Sequence, residues 1–115
     1  LTSKLVRPKV TTGITVKVNS GCGNMYITIN FNNGKIIEVF ATVGKSGGCA
    51  YSQLEAITRV ITLGFKYDIP INEFIDQLKE ISCPSTAADE IGKVSSCADA
   101  VAKTLEKYGK DGGLQ

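Results

Sequence analysis

Histidine is missing from the 115 residues. Its absence removes the commonest general base and the commonest metal ligand. No Ser/His/Asp set can form, and any metal must be held mainly by sulfur. No apolar run approaches the length needed to cross a bilayer. Leu1-Thr2-Ser3-Lys4-Leu5 lacks the continuous apolar stretch of a secretion signal, so a cytoplasmic protein is expected. The first residue is not methionine, which suggests a trimmed chain or a piece of a longer one. Clustered charge is absent as well. The net charge is +2, and Lys17, Lys35, Lys45, Arg59, Lys66 and Lys79 are scattered without interleaved aromatics, so no nucleic-acid groove is indicated. A charge this small neither demands nor excludes an anionic small ligand. What remains, 43% hydrophobic and 21% charged, is the composition of one soluble globular domain with a modest core.

Residues 1–12, with Pro8 and polar flanks, read as a linker or a short edge strand. Ile14, Val16 and Val18 alternate with Thr15 and Lys17, as in a strand with one buried face. Asn19-Ser20-Gly21-Cys22-Gly23-Asn24 is a turn by composition. Met25, Ile27, Ile29 and Phe31 alternate with Tyr26, Thr28 and Asn30 in a second strand, and Asn33-Gly34 is a strong hairpin signal. Ile37, Val39, Ala41 and Val43 give a third strand. The period then changes to about 3.6 residues. Leu54, Ile57, Ile61 and Phe65 line one face of a helix from Cys49 to Lys66, with Thr58, Arg59 and Thr62 on the polar side. Pro70 suits the first turn of a second helix striped by Ile71, Phe74, Ile75, Leu78 and Ile81, and Ser82-Cys83-Pro84 ends it. Residues 85–94 read as a loop. Ser96, with Asp99 three residues later, is placed to cap a third helix that buries Val101, Leu105 and Tyr108. Residues 109–115 read as a frayed tail. The expected architecture is α+β: a three-stranded antiparallel meander covered on one face by three helices, in a single domain over residues 13–108.

Cys22, Cys49, Cys83 and Cys97 all fall at boundaries between these elements, separated by 26, 33 and 13 residues. None of the gaps is the C-x-x-C of a zinc knuckle, so position carries more than spacing. Each cysteine has small or turn-forming neighbours (Gly21 and Gly23; Gly47 and Gly48; Ser82 and Pro84; Ser95 and Ser96), which let the backbone approach a shared centre. Cys49 and Cys97 sit where helices begin, and free amide N–H groups there favour thiolate over thiol. Four readings are open: a structural metal site, with zinc the first choice; two disulfides, disfavoured in the absence of an export signal; a redox or radical pair; and unpaired thiols buried separately. A four-thiolate zinc site carries a formal charge of about −2, which those amides and Lys45 or Lys93 would offset.

Gly44-Lys45-Ser46-Gly47-Gly48 lies between the third strand and the long helix, where backbone amides can hold a phosphate. It is not a Walker motif, because Val39 stands where that pattern needs a glycine. The plainer reading, that the glycines turn the chain and place Cys49, is preferred. Should a nucleotide bind, Lys45, Ser46 and Arg59 are the residues to contact it. Glu38, Glu55, Asp68, Glu73, Asp76 and Glu80 fall on expected solvent faces or in loops, so no acid/base pair and no catalytic residue is assigned.

The run Ser20-Gly21-Cys22-Gly23-Asn24-Met25-Tyr26-Ile27-Thr28-Ile29-Asn30 resembles the opening of the TSCPD domain, found at the carboxy-terminal end of adenosylcobalamin-dependent (class II) ribonucleotide reductases. Residues 38–50, ending Gly44-Lys45-Ser46-Gly47-Gly48-Cys49-Ala50, resemble its central signature. Ile81-Ser82-Cys83-Pro84-Ser85 resembles the motif that names it, and Ser96-Cys97-Ala98-Asp99-Ala100 its last motif. Arg7-Pro8 is similar to the joint that precedes the domain. Two positions depart: Ile81 stands where the family has threonine, and Ser85 where it often has aspartate. The catalytic barrel, the radical cysteine, the cobalamin site and the closely spaced cysteine pair of the reductase tail are all absent from these residues.

The resemblance implies a non-catalytic accessory module holding zinc through Cys22, Cys49, Cys83 and Cys97, with no activity of its own. Adenosylcobalamin would belong to the parent reductase and not bind here. Its partner would be the reductase's catalytic domain. The alternative is a stand-alone TSCPD protein, viral in origin as one option and then in the host cytoplasm. It would sequester a nucleotide-derived signal at the Gly44–Gly48 turn, with the free sheet edges pairing two copies into a homo-oligomer.

Overall fold

The structure is a computed structural model that describes residues 4–21, 23–44, 48–84, 86–89 and 91–110. Strands β1 (Thr12–Ser20), β2 (Gly23–Asn32) and β3 (Lys35–Val43) form an antiparallel sheet in the order β1-β2-β3. Helices α1 (Gly48–Lys66) and α2 (Ile71–Leu78) follow, then a short hairpin of β4 (Ala87–Asp89) and β5 (Gly92–Val94), then helix α3 (Cys97–Tyr108). The fold is α+β, with the expected meander and three helices.

The central strand makes the core. Met25, Ile27, Ile29 and Phe31 of β2 are almost wholly buried, and Val18 of β1 and Val39, Ala41 and Val43 of β3 lie on the same side. Leu54, Ile61 and Phe65 of α1, Ile75 of α2 and Ala100, Val101 and Leu105 of α3 close over them. Asn33 and Gly34 both take positive φ, 54° and 79°, as the tight turn between twisted strands requires. The register slips between Asn30 and Phe31, so that Asn30 faces Glu38 while Phe31 faces Ile36. This bulge reverses the alternation at the start of β3. Ile36 joins the core cluster, and Ile37, buried as expected, is left without a register partner.

Helix α1 also packs against β3. The Thr62 hydroxyl donates to the Val39 carbonyl and accepts from the Val39 N–H, both at 3.1 Å. The expectation that both sheet edges are free is therefore corrected, since a helix already covers the β3 edge. The buried face of α1 is also rotated from the expected one. Thr58 is buried, its hydroxyl satisfied by the Leu54 carbonyl at 3.1 Å, while Ile57 is half-buried.

Three further expectations change. Helix α2 ends at Leu78, three residues short of Ile81, because Glu80 takes a positive φ of 67° and turns the chain away. Ile81 is exposed instead of extending the stripe. Residues 85–94, expected as a loop, contain the β4–β5 hairpin, with Gly92 at positive φ in its turn. Glu38, expected on a solvent face, is only 3% exposed. Arg7 reaches it with Nε at 2.9 Å and Nη2 at 2.9 Å, and Asn30 donates to it at 2.7 Å. With the Leu5 N–H bonded to the Lys66 carbonyl at 2.7 Å, this pair lays residues 5–7 against the sheet and α1. At the other end Gly109 caps α3 and is buried, while residues 111–115 lie outside the described residues.

Candidate functional site

Cys97 is the first residue of α3 and is half-buried. The Ser96 hydroxyl accepts from the Asp99 N–H at 3.0 Å, as the sequence predicts. The Asp99 carboxylate does not complete a reciprocal capping box. It is fully buried, with one oxygen accepting from the Glu80 N–H at 2.7 Å and the other from the Ser95 N–H at 2.8 Å. Lys103, one turn on, pairs with Asp99 at 2.9 Å and with Glu80 at 2.8 Å. Burial alone would push the Asp99 carboxyl up. The Ser95 N–H, Lys103 and the Glu80 N–H outweigh it and hold the group below the usual aspartate range. Burial likewise works against the charge on Lys103, but bonds to Glu80 and Asp99 raise it above its ordinary value.

Cys83 is drawn to the same place, because its N–H donates to the Ser95 carbonyl at 2.9 Å. Cys83 and Cys97 both line a cavity of about 240 Å³, whose walls include Ala50, Gln53 and Leu54 of α1 and Ile81. Cys49 is exposed, next to Ala50 in the first turn of α1. The Cys97 Sγ stands 3.9 Å from the Ser20 hydroxyl, which donates to the Gly23 carbonyl at 2.8 Å across the turn that carries Cys22. Gly44 closes in on that turn too, its N–H bonded to the Asn24 carbonyl at 2.9 Å. At Gly23, φ is 133° and a Cβ would lie 2.7 Å from the Gly44 carbonyl oxygen, so both conformation and space require glycine there.

The segments that carry the four cysteines thus meet at one end of the molecule. Cys22 lies outside the described residues, and among those described no three cysteine, aspartate or glutamate side chains stand as a group able to hold a metal. Thiol sulfur is a donor type that zinc takes, and Cys83 and Cys97 line one cavity walled by α1, in whose first turn Cys49 stands.

Of the phosphate-turn residues, Lys45, Ser46 and Gly47 also lie outside the described residues. Gly44 borders a recess with Gly23, Asn24 and Tyr26, and Gly48 is the exposed first residue of α1. Arg59 is not brought to the turn. It lies about 16 Å further along α1 at the helical rise per residue and is exposed, 3.5 Å from Glu55 one turn back. Among the described residues no helix is long and apolar enough to cross a membrane.

A family model described as TSCPD domain matches residues 1–109. The chain belongs to the TSCPD domain family. No curated protein and no solved structure matches it. The residues that sequence reasoning missed in this TSCPD domain are Asp99, as a tie between two cysteine segments, and Ser95, which relays it to Cys83. Asp99 sits inside the last cysteine motif and Ser95 immediately before it, and the run of small polar residues there was the available signal.

Proposed function

We propose that this TSCPD domain is a non-catalytic, zinc-binding accessory module of a cobalamin-dependent ribonucleotide reductase. The observation that carries the reading is the shared cavity of Cys83 and Cys97, with Ala50, next to Cys49, on its wall and the Ser20 hydroxyl 3.9 Å from the Cys97 sulfur. Cys22, Cys49, Cys83 and Cys97 are the thiolate ligands in this reading. Zinc bound there supplies no reaction chemistry, only a cross-link between distant segments. Helix starts at Cys49 and Cys97 favour the thiolate form. Such a ligand set suits a reducing compartment, and the reading takes the domain to be cytoplasmic.

Native mass spectrometry of protein made in zinc-supplied cells tests the reading. The expected result is one zinc per chain, lost in Cys49→Ser and retained in Lys45→Ala. A metal-free chain whose four thiols all titrate overturns it, as does a bound nucleotide in place of metal. The reductase assignment has its own check: the reading frame upstream of Leu1 should encode the catalytic barrel.

A further inference from the structure

The Asp99 carboxylate joins two segments that enter the cysteine site from opposite directions. One oxygen takes the N–H of Glu80, three residues before Cys83, and the other takes the N–H of Ser95, two residues before Cys97. Ser95 then passes its carbonyl to the Cys83 N–H at 2.9 Å. Two hydrogen bonds in series therefore connect one carboxylate to the backbone of Cys83, while the Ser96 cap fixes the same residue at the start of the helix that begins with Cys97. Glu80 holds a left-handed conformation, φ 67°, that a residue with a side chain adopts at a cost, and its bond to Asp99 offsets that cost. Asp99 is wholly buried, so no solvent competes for these bonds. Lys103 neutralises the carboxylate and also bonds the Glu80 carboxylate and the Lys93 carbonyl, but it takes no part in the two N–H bonds from Glu80 and Ser95.

We infer that Asp99 is the positioning residue of the cysteine site: its carboxylate sets the separation of Cys83 and Cys97 and so their readiness to take a thiophilic divalent metal. The inference rests on the zinc reading above and adds a determinant of affinity that is not itself a ligand. Groups that orient ligands in this way typically change metal affinity by about 10- to 100-fold when removed. Asn in place of Asp99 keeps the shape and one acceptor oxygen but turns an NH2 toward the second N–H donor. One of the two segments must then move.

The test is titration of the apo chain with Co(II), read by its thiolate-to-metal absorption bands, in wild type, Asp99→Asn and Lys103→Met. Far-ultraviolet circular dichroism checks folding in each. The expected result for folded Asp99→Asn is affinity lower by about 10-fold or more, with weakened or shifted bands. Lys103→Met leaves both N–H bonds in place, and its affinity should stay within about 3-fold of wild type even where its thermal stability drops. If Asp99→Asn does not fold, Asp99→Glu, which keeps charge and both acceptors but lengthens the tie, should show the same loss. A folded Asp99 variant with wild-type affinity and bands overturns the inference alone, and so does an equal loss in Lys103→Met. A wild-type chain that takes up no cobalt overturns the zinc reading first and this inference with it.

Discussion

Glu38 shows how one carboxylate is made tolerable on a sheet. Burial opposes its charge, but Arg7 and Asn30 donate to it and Arg7 and Lys66 add positive charge nearby, so its carboxyl is held below the ordinary value. A depressed carboxyl contributes stability that is full above its unfolded value, about 4.3 for glutamate, and that is lost as pH falls through the folded value. Glu38→Gln should therefore lower the melting temperature at pH 7, and the gap to wild type should narrow as pH falls below about 4. A gap that stays constant with pH, measured by thermal unfolding in matched buffers, would assign the loss to packing and not to the charge. Period-two alternation puts Glu38 on the strand face opposite Val39, where solvent is expected and a buried carboxylate paired with Arg7 is found. Its ion-pair partner is Arg7, 31 residues away in sequence, and no local pattern encodes such a partner.

At the scale of elements, α1 and α2 meet through Gly64. A Cβ built there would lie 2.2 Å from Phe74 Cζ, and Phe74 is fixed edge-on to Phe65 with ring centroids 5.3 Å apart. Gly64→Ala should cost about 1–3 kcal/mol by overpacking, although alanine is the better helix former at an unhindered site. Urea unfolding measures it, and a neutral or stabilising result would mean that Phe74 swings aside freely. The elements themselves were largely legible. The three strands announce their buried faces by alternation, and Asn33-Gly34 announces its turn. The hairpin of β4 and β5 was not legible, because Ala87 and Ala88 carry no apolar alternation and only Gly92 marks the turn. Ile81 looked like one more step of a helical stripe, yet the tie from Glu80 to Asp99 ends that helix first. The cysteines could be assigned to boundaries from sequence, whereas the Cys83–Ser95 bond joins two backbone groups and leaves no side-chain signature, and the Asp99 carboxylate that supports it reads from sequence as a helix cap.

Across the whole molecule, the two ends are stabilised by different means. The sheet and α1 share an apolar core centred on β2, with the β3 edge closed by Thr62 and the N-terminal segment clamped by Arg7. The cysteine end adds polar ties to the apolar contacts of Val94 and α3 with that core: Glu80 and Ser95 to Asp99, Cys83 to Ser95, and Lys103 to Glu80. Short polar-tied segments open at lower free energy than core strands, so a bound metal would contribute most at this end. If zinc cross-links it, chelation should raise amide exchange at Glu80, Cys83 and Ser95, whose N–H groups form those ties. Ile27 and Ile29, in the middle of β2, should stay protected because their burial does not depend on the thiols. Hydrogen exchange read by mass spectrometry, with and without chelator, separates the outcomes. Loss of protection throughout β2 would make the metal a condition of the entire fold, and unchanged exchange at Cys83 would remove it from the cysteine end altogether.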